Sequence, residues 1–189
     1  MNYNVSMDEL ALFESRGITD VHVIRSKRRR RTAGAKLKGS CLHVCVPYSI
    51  SEEHLARLVI TFKEKFNKTL LRNRLNRDTP LSEVAERLNK KYFCGSLKIG
   101  SVHYVTNQTR KFGCCYIQDA SIRISHRIAE MPDWVRDYVV MHELAHLVVP
   151  NHKKAFWDIV SRYELAERAR GFLIAKGMEM DNPDEEETE

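Results

Sequence analysis

The stretch VVMHELAHLVVPNHKKAFW, residues 139–157, constrains this chain most, because it sets three histidines and a glutamate among apolar residues. The apolar residues recur at helical spacing, which predicts a helix that ends near Pro150. Imidazole and carboxylate groups are costly to bury unless other groups compensate their polarity. The stretch therefore predicts a buried helix whose polar side chains bind an ion.

His142 and His146 are four residues apart, so on a helix they share one face with Cβ atoms about 5–6 Å apart. Two imidazole nitrogens can then converge on a zinc ion at about 2.0–2.1 Å. Glu143 follows the first histidine and lies about 100° further round the helix, where it can border the ion without binding it. This H-E-x-x-H spacing predicts two zinc ligands and a general base.

A catalytic zinc site needs a third protein ligand and an open coordination position. Pro150 lets the chain turn back, and Asn151 is a favourable N-cap for a next helix that we expect to begin at His152. The first turn of a helix disfavours imidazolium, and the neutral imidazole is the form that binds metal. We predict His152 as the third ligand, with the downstream carboxylates Glu164 and Glu167 as the alternatives.

The remaining pattern predicts an α+β fold. Residues 20–48 are rich in β-branched residues and predict an N-terminal basic β-hairpin, while residues 97–125 predict three strands in a small antiparallel sheet. Ser49 and Glu52 fit a capping box that starts a helix between these strands, and another helix begins near Asp133. A helix after Thr79-Pro80 has one apolar face, formed by Leu81, Val84, Ala85 and Leu88.

The charge distribution suggests three segments. The net charge is +6, but the last twelve residues, MEMDNPDEEETE, hold seven acidic residues and no basic one, so the rest of the chain is strongly basic. Such an acidic segment has little apolar surface to bury and is typical of disorder. We predict an N-terminal segment at 1–19, a single domain at 20–177 and an acidic disordered tail at 178–189.

A basic run between Arg25 and Lys38 contains eight basic residues and no acidic one. It has two interpretations, a solvated edge that discourages strand aggregation and a surface for an anionic partner such as nucleic acid. The residues of this candidate nucleic-acid surface are Arg25, Lys27, Arg28, Arg29, Arg30, Arg31, Lys36 and Lys38.

The sequence favours a cytoplasmic protein without a membrane partner. No apolar run approaches the roughly 20 residues of a membrane-spanning helix, and the N-terminus shows no secretory signal. Five cysteines, an odd number, favour reduced thiols over a disulfide framework. Among them, the adjacent Cys114 and Cys115 are expected to be structural.

Three segments resemble the YgjP-like metallopeptidases, a zincin family related to SprT-type proteins. Residues 138–160, YVVMHELAHLVVPNHKKAFWDIV, resemble the family's zinc-binding signature. The basic residues from Arg25 to Arg31 resemble its opening strand. The segment Lys111–Cys115 stands where the family has an R-W-G-S-C element, and it shares the glycine and the last cysteine but departs at the other three positions.

The resemblance implies a compact zincin-like domain in which zinc is held by His142, His146 and His152 and Glu143 is the catalytic base of a peptidase. The SprT-type relatives imply a protease that acts on nucleic-acid-associated proteins. A third hypothesis is a non-catalytic, zinc-stabilised nucleic-acid-binding module. In this hypothesis Cys114 or Cys115 is the fourth protein ligand of a structural zinc site. The candidates for a second oxyanion donor are Tyr116, His126, Arg162 and Tyr163.

Overall fold

The computed structural model describes residues 17–108 and 110–176. Within these residues it contains six strands, five α-helices and one 3-10 helix, so the α+β class is confirmed. The chain divides into two compact units, residues 1–74 and 75–189. The tail predicted at 178–189 and most of the segment predicted at 1–19 lie outside the described residues. The single domain at 20–177 stays a prediction.

The first unit contains a three-stranded sheet with the order β1-β3-β2. Its strands are β1 (Asp20–Ser26), β2 (Gly34–Lys38) and β3 (Cys41–Pro47), followed by helix α1 (Glu52–Asp78), which continues past the unit boundary. The two strands of the predicted hairpin, VHVIRS and CLHVCV, are β1 and β3, and because they pair in parallel that hairpin is wrong. The antiparallel partner of β3 is β2, which forms within the segment expected to connect the two strands. Because β2 and its connections separate β1 from β3 along the chain, β3 can return in the same direction as β1.

One face of this sheet packs on α1. Leu42, Val44 and Val46 alternate along β3 and are fully buried in a cluster with Leu55 of the helix. Because successive strand residues point to opposite faces, the intervening residues of β3 lie on the outer face.

The start of α1 differs from the prediction. The helix begins at Glu52, and the side-chain oxygen of Ser51 accepts a hydrogen bond from the backbone N–H of His54 at 3.3 Å. Ser51 therefore has the capping role that we predicted for Ser49, and the capping box between Ser49 and Glu52 is wrong. The carboxylate of Glu52 instead forms an ion pair with Arg25 at the end of β1.

The second unit combines a smaller sheet with four further helices. The strands are β4 (Ser101–Val105), β5 (Gly113–Tyr116) and β6 (Ser121–Ser125), in the order β4-β6-β5. The helices are α2 (Leu81–Phe93), α3 (Asp133–His146), α4 (Lys154–Val160) and α5 (Ala166–Ala175), with a 3-10 helix at His126–Glu130 before α3.

The second sheet is mixed, not antiparallel as predicted. The short connection around Asp119-Ala120 makes β5 and β6 an antiparallel hairpin, as expected, but β6 also pairs in parallel with β4. Because β6 occupies the centre of the sheet, β5 is left at its edge. The predicted apolar face of α2 is confirmed, since Leu81, Val84, Ala85 and Leu88 are all buried.

Helix α3 lies in the middle of the hydrophobic core of the second unit, which is called the second core below. Nearly every residue from Val135 to Ala145 is buried, because the helix contacts β5, β6, α2, α4 and α5. A helix surrounded in this way keeps its polar side chains away from bulk solvent. In the described part of the chain, no helix combines the length and the apolar character that crossing a bilayer requires.

Candidate metal centre

His142 and His146 occupy the last turns of α3, as the sequence predicts. Their ring centroids are 5.0 Å apart, and only 3 % of His142 is exposed. The helix ends at His146, although the backbone N–H of Val149 still donates to the carbonyl of Ala145 at 2.9 Å. This hydrogen bond is the last helical one, and the chain reverses direction after it.

The reversal returns His152 to the end of α3. We expected α4 to begin at His152, but it begins at Lys154. The side-chain oxygen of Asn151 accepts a hydrogen bond from the N–H of Lys153 at 3.4 Å and so forms a turn before the helix. His152 therefore lies in the connection, and the argument from the first-turn helix dipole does not apply to it.

The three imidazoles converge. One ring nitrogen from each of His142, His146 and His152 lies within 4.8 Å of the other two. Nε2 of His142 and Nε2 of His152 are 3.2 Å apart. Two nitrogens bound to one tetrahedral zinc ion at 2.0–2.1 Å would be about 3.3 Å apart. The observed separation therefore suits a shared ion.

The protein also orients the rings. Nδ1 of His146 is 3.3 Å from the carbonyl oxygen of Val149, which accepts its proton in the tautomer that leaves Nε2 available. Phe156 of α4 is fully buried, stacks on His146 at 4.5 Å between centroids, and meets His142 and His152 edge-on, each at 4.7 Å. This one aromatic ring thus contacts all three imidazoles.

The electrostatic environment keeps His142 neutral. Burial is the main cause that lowers its pKa well below the usual range, and the neighbouring His146 and His152 lower it further. A neutral imidazole is the form that coordinates a metal. Within the described chain, Nδ1 of His142 is buried without a hydrogen-bond partner, so its polarity is still uncompensated. The lowered pKa fits a metal ligand. The unpartnered Nδ1 does not bear on this role, because Nε2 is the nitrogen that approaches His152.

Glu143 lies beside the histidines and against β5. Its side chain is only 4 % exposed. Gly113 begins β5, and a Cβ atom added there would lie 2.3 Å from Oε1 and 2.6 Å from both Cδ and Cγ of Glu143. Only a residue without a side chain can therefore occupy position 113 while the carboxylate keeps this place. The residue pattern alone gave no role to Gly113, which entered only through the family resemblance.

The segment before β5 fixes the position of Gly113. Phe112 is 3 % exposed in the second core, and its carbonyl accepts a hydrogen bond from the N–H of Ser125 at 2.7 Å. Cys115 lies on β5, two residues after Gly113. The pKa of this thiol is raised to about 12, mainly by burial, and the nearby Glu143 carboxylate raises it further. Cys115 is therefore a protonated thiol at neutral pH.

The alternative ligands lie elsewhere among the described residues. Glu164 is exposed and pairs with Lys91 at 2.9 Å. Glu167 lines a separate small cavity with Tyr138 and Trp157. Neither carboxylate, and neither Cys114 nor Cys115, belongs to the cluster of converging ligand atoms.

Two candidate oxyanion donors have other contacts. The hydroxyl of Tyr163 donates to the carbonyl of Trp134 at 3.0 Å. The ring of Tyr116 lies under the guanidinium of Arg123, 4.6 Å from its centroid.

The candidate nucleic-acid surface belongs to the first unit. Arg25 is largely engaged, because it donates to the carbonyls of Tyr48 and Ile50, each at 3.1 Å, and pairs with Glu52. The other seven basic residues are exposed, and they are Lys27, Arg28, Arg29, Arg30, Arg31, Lys36 and Lys38. Five of the seven, Lys27–Arg31, lie in the loop between β1 and β2, so this loop is strongly positive.

Comparison with known proteins gives one family and one structural neighbour. The family model described as YgjP-like, metallopeptidase domain matches residues 51–165, which is more than half of the chain. The crystal structure of the metallopeptidase zymogen abylysin from Pyrococcus abyssi is similar with a TM-score of 0.46 and 18 % sequence identity, over 53 % of this chain and 98 % of that chain. The search of curated proteins gave no match.

Proposed function

Because this chain belongs to the YgjP-like metallopeptidase family, we propose that it is a zinc-dependent peptidase in which His142, His146 and His152 hold the ion. The observation that carries the proposal is the convergence of three imidazole nitrogens within 4.8 Å, next to a buried glutamate. Three imidazoles are a typical ligand set of catalytic zinc and leave one position open. A bound zinc ion supplies Lewis acidity for a carbonyl group and for water.

Glu143 is the proposed general base. It follows the first ligand on α3 and is confined by Gly113, so its carboxylate is positioned without being needed as a ligand. In this role it accepts the proton of the attacking water and later donates it to the leaving amine. Its buried position also limits its rotation and its access to competing water.

Strand β5 suggests how a substrate binds. It forms the edge of the second sheet, and its first residue contacts Glu143. An extended peptide can add to a sheet edge through backbone hydrogen bonds, which depend little on the side chains of the peptide. We propose that the substrate lies extended along β5, with the scissile bond beside Glu143.

The first test is the metal content of the purified protein. We expect the three-histidine site to contribute about one tightly bound zinc ion per chain, and we expect His152→Ala to contain about one ion fewer than the wild type. His54→Ala is the matched control, because this histidine is exposed on α1 in the other unit. Full retention of zinc by His152→Ala would transfer the third-ligand role to Glu164, Glu167 or a cysteine.

A second candidate function is a peptidase that acts on proteins associated with nucleic acid. The seven exposed basic residues at 27–38 favour it, since they form a positive surface with no acidic residue in the run. This surface also fits the third hypothesis, the non-catalytic module, which predicts the same binding without peptidase activity.

Binding to duplex DNA tests the second candidate. Because each phosphate contact releases counterions, we expect affinity to fall by about 10³-fold or more between 50 and 200 mM salt if six or more of these residues contact phosphates. Replacing Arg28–Arg31 with glutamine should remove most of the binding. Weak binding that does not depend on salt would exclude this surface as a nucleic-acid site.

A further inference from the structure

The outer face of the first sheet carries histidines and cysteines that the proposed peptidase does not use. His22 on β1 lies in register with His43 on β3. Cys41 and Cys45 flank His43 at a distance of two residues on each side, so all three point to the same face of β3. These residues lie outside the segment 51–165 that matches the family.

The two histidines have the spacing of metal ligands. Their Nδ1 atoms are 3.5 Å apart, and their rings are nearly perpendicular, with centroids 5.2 Å apart. Good hydrogen bonds from N–H donors span about 2.7–3.2 Å, so this separation is long for a direct bond. It is close to the roughly 3.3 Å expected between two nitrogens on a tetrahedral zinc ion. It is also close to the 3.2 Å between Nε2 of His142 and Nε2 of His152.

The flanking cysteines offer the third ligand. Cys41 and Cys45 lie on the same face of β3 as His43, one on each side of it, and thiolate is a usual zinc ligand. Lys36 on β2 is in register with His43, and the negative charge of a thiolate would offset the repulsion between a lysine at this position and the ion. Among the described residues only the three histidines at the end of α3 bring three ligand atoms within 4.8 Å. A cysteine side chain must therefore rotate toward His22 and His43 as the ion binds.

We propose that His22, His43 and the thiolate of Cys41 or Cys45 bind a second zinc ion on the outer face of the first sheet. Imidazole and thiolate are the usual ligands of zinc in proteins. Binding releases the thiol proton to solvent and forms a metal–sulfur bond with no change of oxidation state. The ion connects β1 to β3 and so stabilises their parallel pairing.

Cobalt(II) is a suitable probe of this site in the full chain, because a thiolate bound to cobalt absorbs in the near ultraviolet and a site of three histidines does not. We expect the band in the wild type and its loss in the double variant Cys41→Ser/Cys45→Ser. Cys94→Ser is the matched control, since this cysteine is exposed at the end of α2 and should keep the band.

Zinc stoichiometry gives an independent readout. With saturating zinc we expect about two ions per chain, and about one in His22→Asn and in His43→Asn, with their folding checked by circular dichroism. His54→Asn should keep about two. A wild type without the thiolate band would overturn the proposal. A band that survives Cys41→Ser/Cys45→Ser but disappears in Cys115→Ser would overturn it too and assign the thiolate to the peptidase site.

Discussion

Replacing Glu143 with glutamine is expected to lower kcat by about 10²–10⁴-fold, the usual contribution of a general base. Glutamine has nearly the shape of glutamate and therefore still fits against Gly113, but it cannot accept a proton from water. Because Glu143 is not proposed as a ligand, the zinc content should equal that of the wild type. Cleavage of casein and metal analysis of the same preparation measure both quantities.

The control for this variant is Glu164→Gln. Glu164 is exposed and paired with Lys91, so we expect its replacement to leave both activity and zinc unchanged. This control also tests Glu164 as the rival ligand. If Glu143→Gln kept full zinc-dependent turnover, Glu143 would not be the base. If it lost zinc, Glu143 would instead belong to the ligand set.

Local sequence determines most of the three-histidine cluster, which is why the pattern alone could predict that these side chains converge. Helical spacing places His142 and His146 on one face, and His152 follows only six residues later. The connection from His146 to His152 is short and leaves the helix through Pro150. Few conformations are open to it besides those that return toward the end of the helix. The predicted start of α4 is wrong, because the Asn151 side chain forms a turn with Lys153 instead of capping a helix at His152. The assignment of the three histidines as zinc ligands stays a prediction.

The pairing of the strands was much harder to predict. Alternation along β3 identifies which residues are buried, but it is the same for parallel and antiparallel neighbours. The parallel pairs β1–β3 and β4–β6 join residues about 20 apart in the sequence. Their direction depends on which strand occupies the centre of each sheet. In both sheets the strand latest in the sequence does so, and no local signal indicates it.

The contact between Gly113 and Glu143 was hard to predict for the same reason, because it depends on packing between residues far apart in the sequence. Thirty positions separate the two residues, and the glycine stands in a strand where a β-branched residue would be more usual. A glycine inside a strand signals close approach of another group, but it does not identify that group. Only the packing of β5 on α3 shows that the group is the proposed catalytic carboxylate.

Gly113→Ala is therefore expected to impair catalysis with little effect on the metal ligands. The added Cβ would lie 2.3 Å from Oε1 of Glu143, so the carboxylate has to move. A displacement of about 1 Å at a catalytic group can cost about 10²-fold, and we expect kcat/KM to fall by about that factor. Zinc content should stay near that of the wild type. Gly171→Ala is the control, since a Cβ there meets nothing within 4 Å and should preserve activity.

A thermal-unfolding cycle separates this steric effect from general damage to the sheet. If the methyl group of Gly113→Ala clashes with the Glu143 side chain, Gly113→Ala should lower the Tm of the wild type. The same change should lower the Tm much less in a Glu143→Ala background, where the clashing atoms Cγ, Cδ and Oε1 are absent. Equal losses in the two backgrounds would show that position 113 acts on the sheet and not on the carboxylate. Full activity of Gly113→Ala would show that the carboxylate is not held where the proposed mechanism needs it.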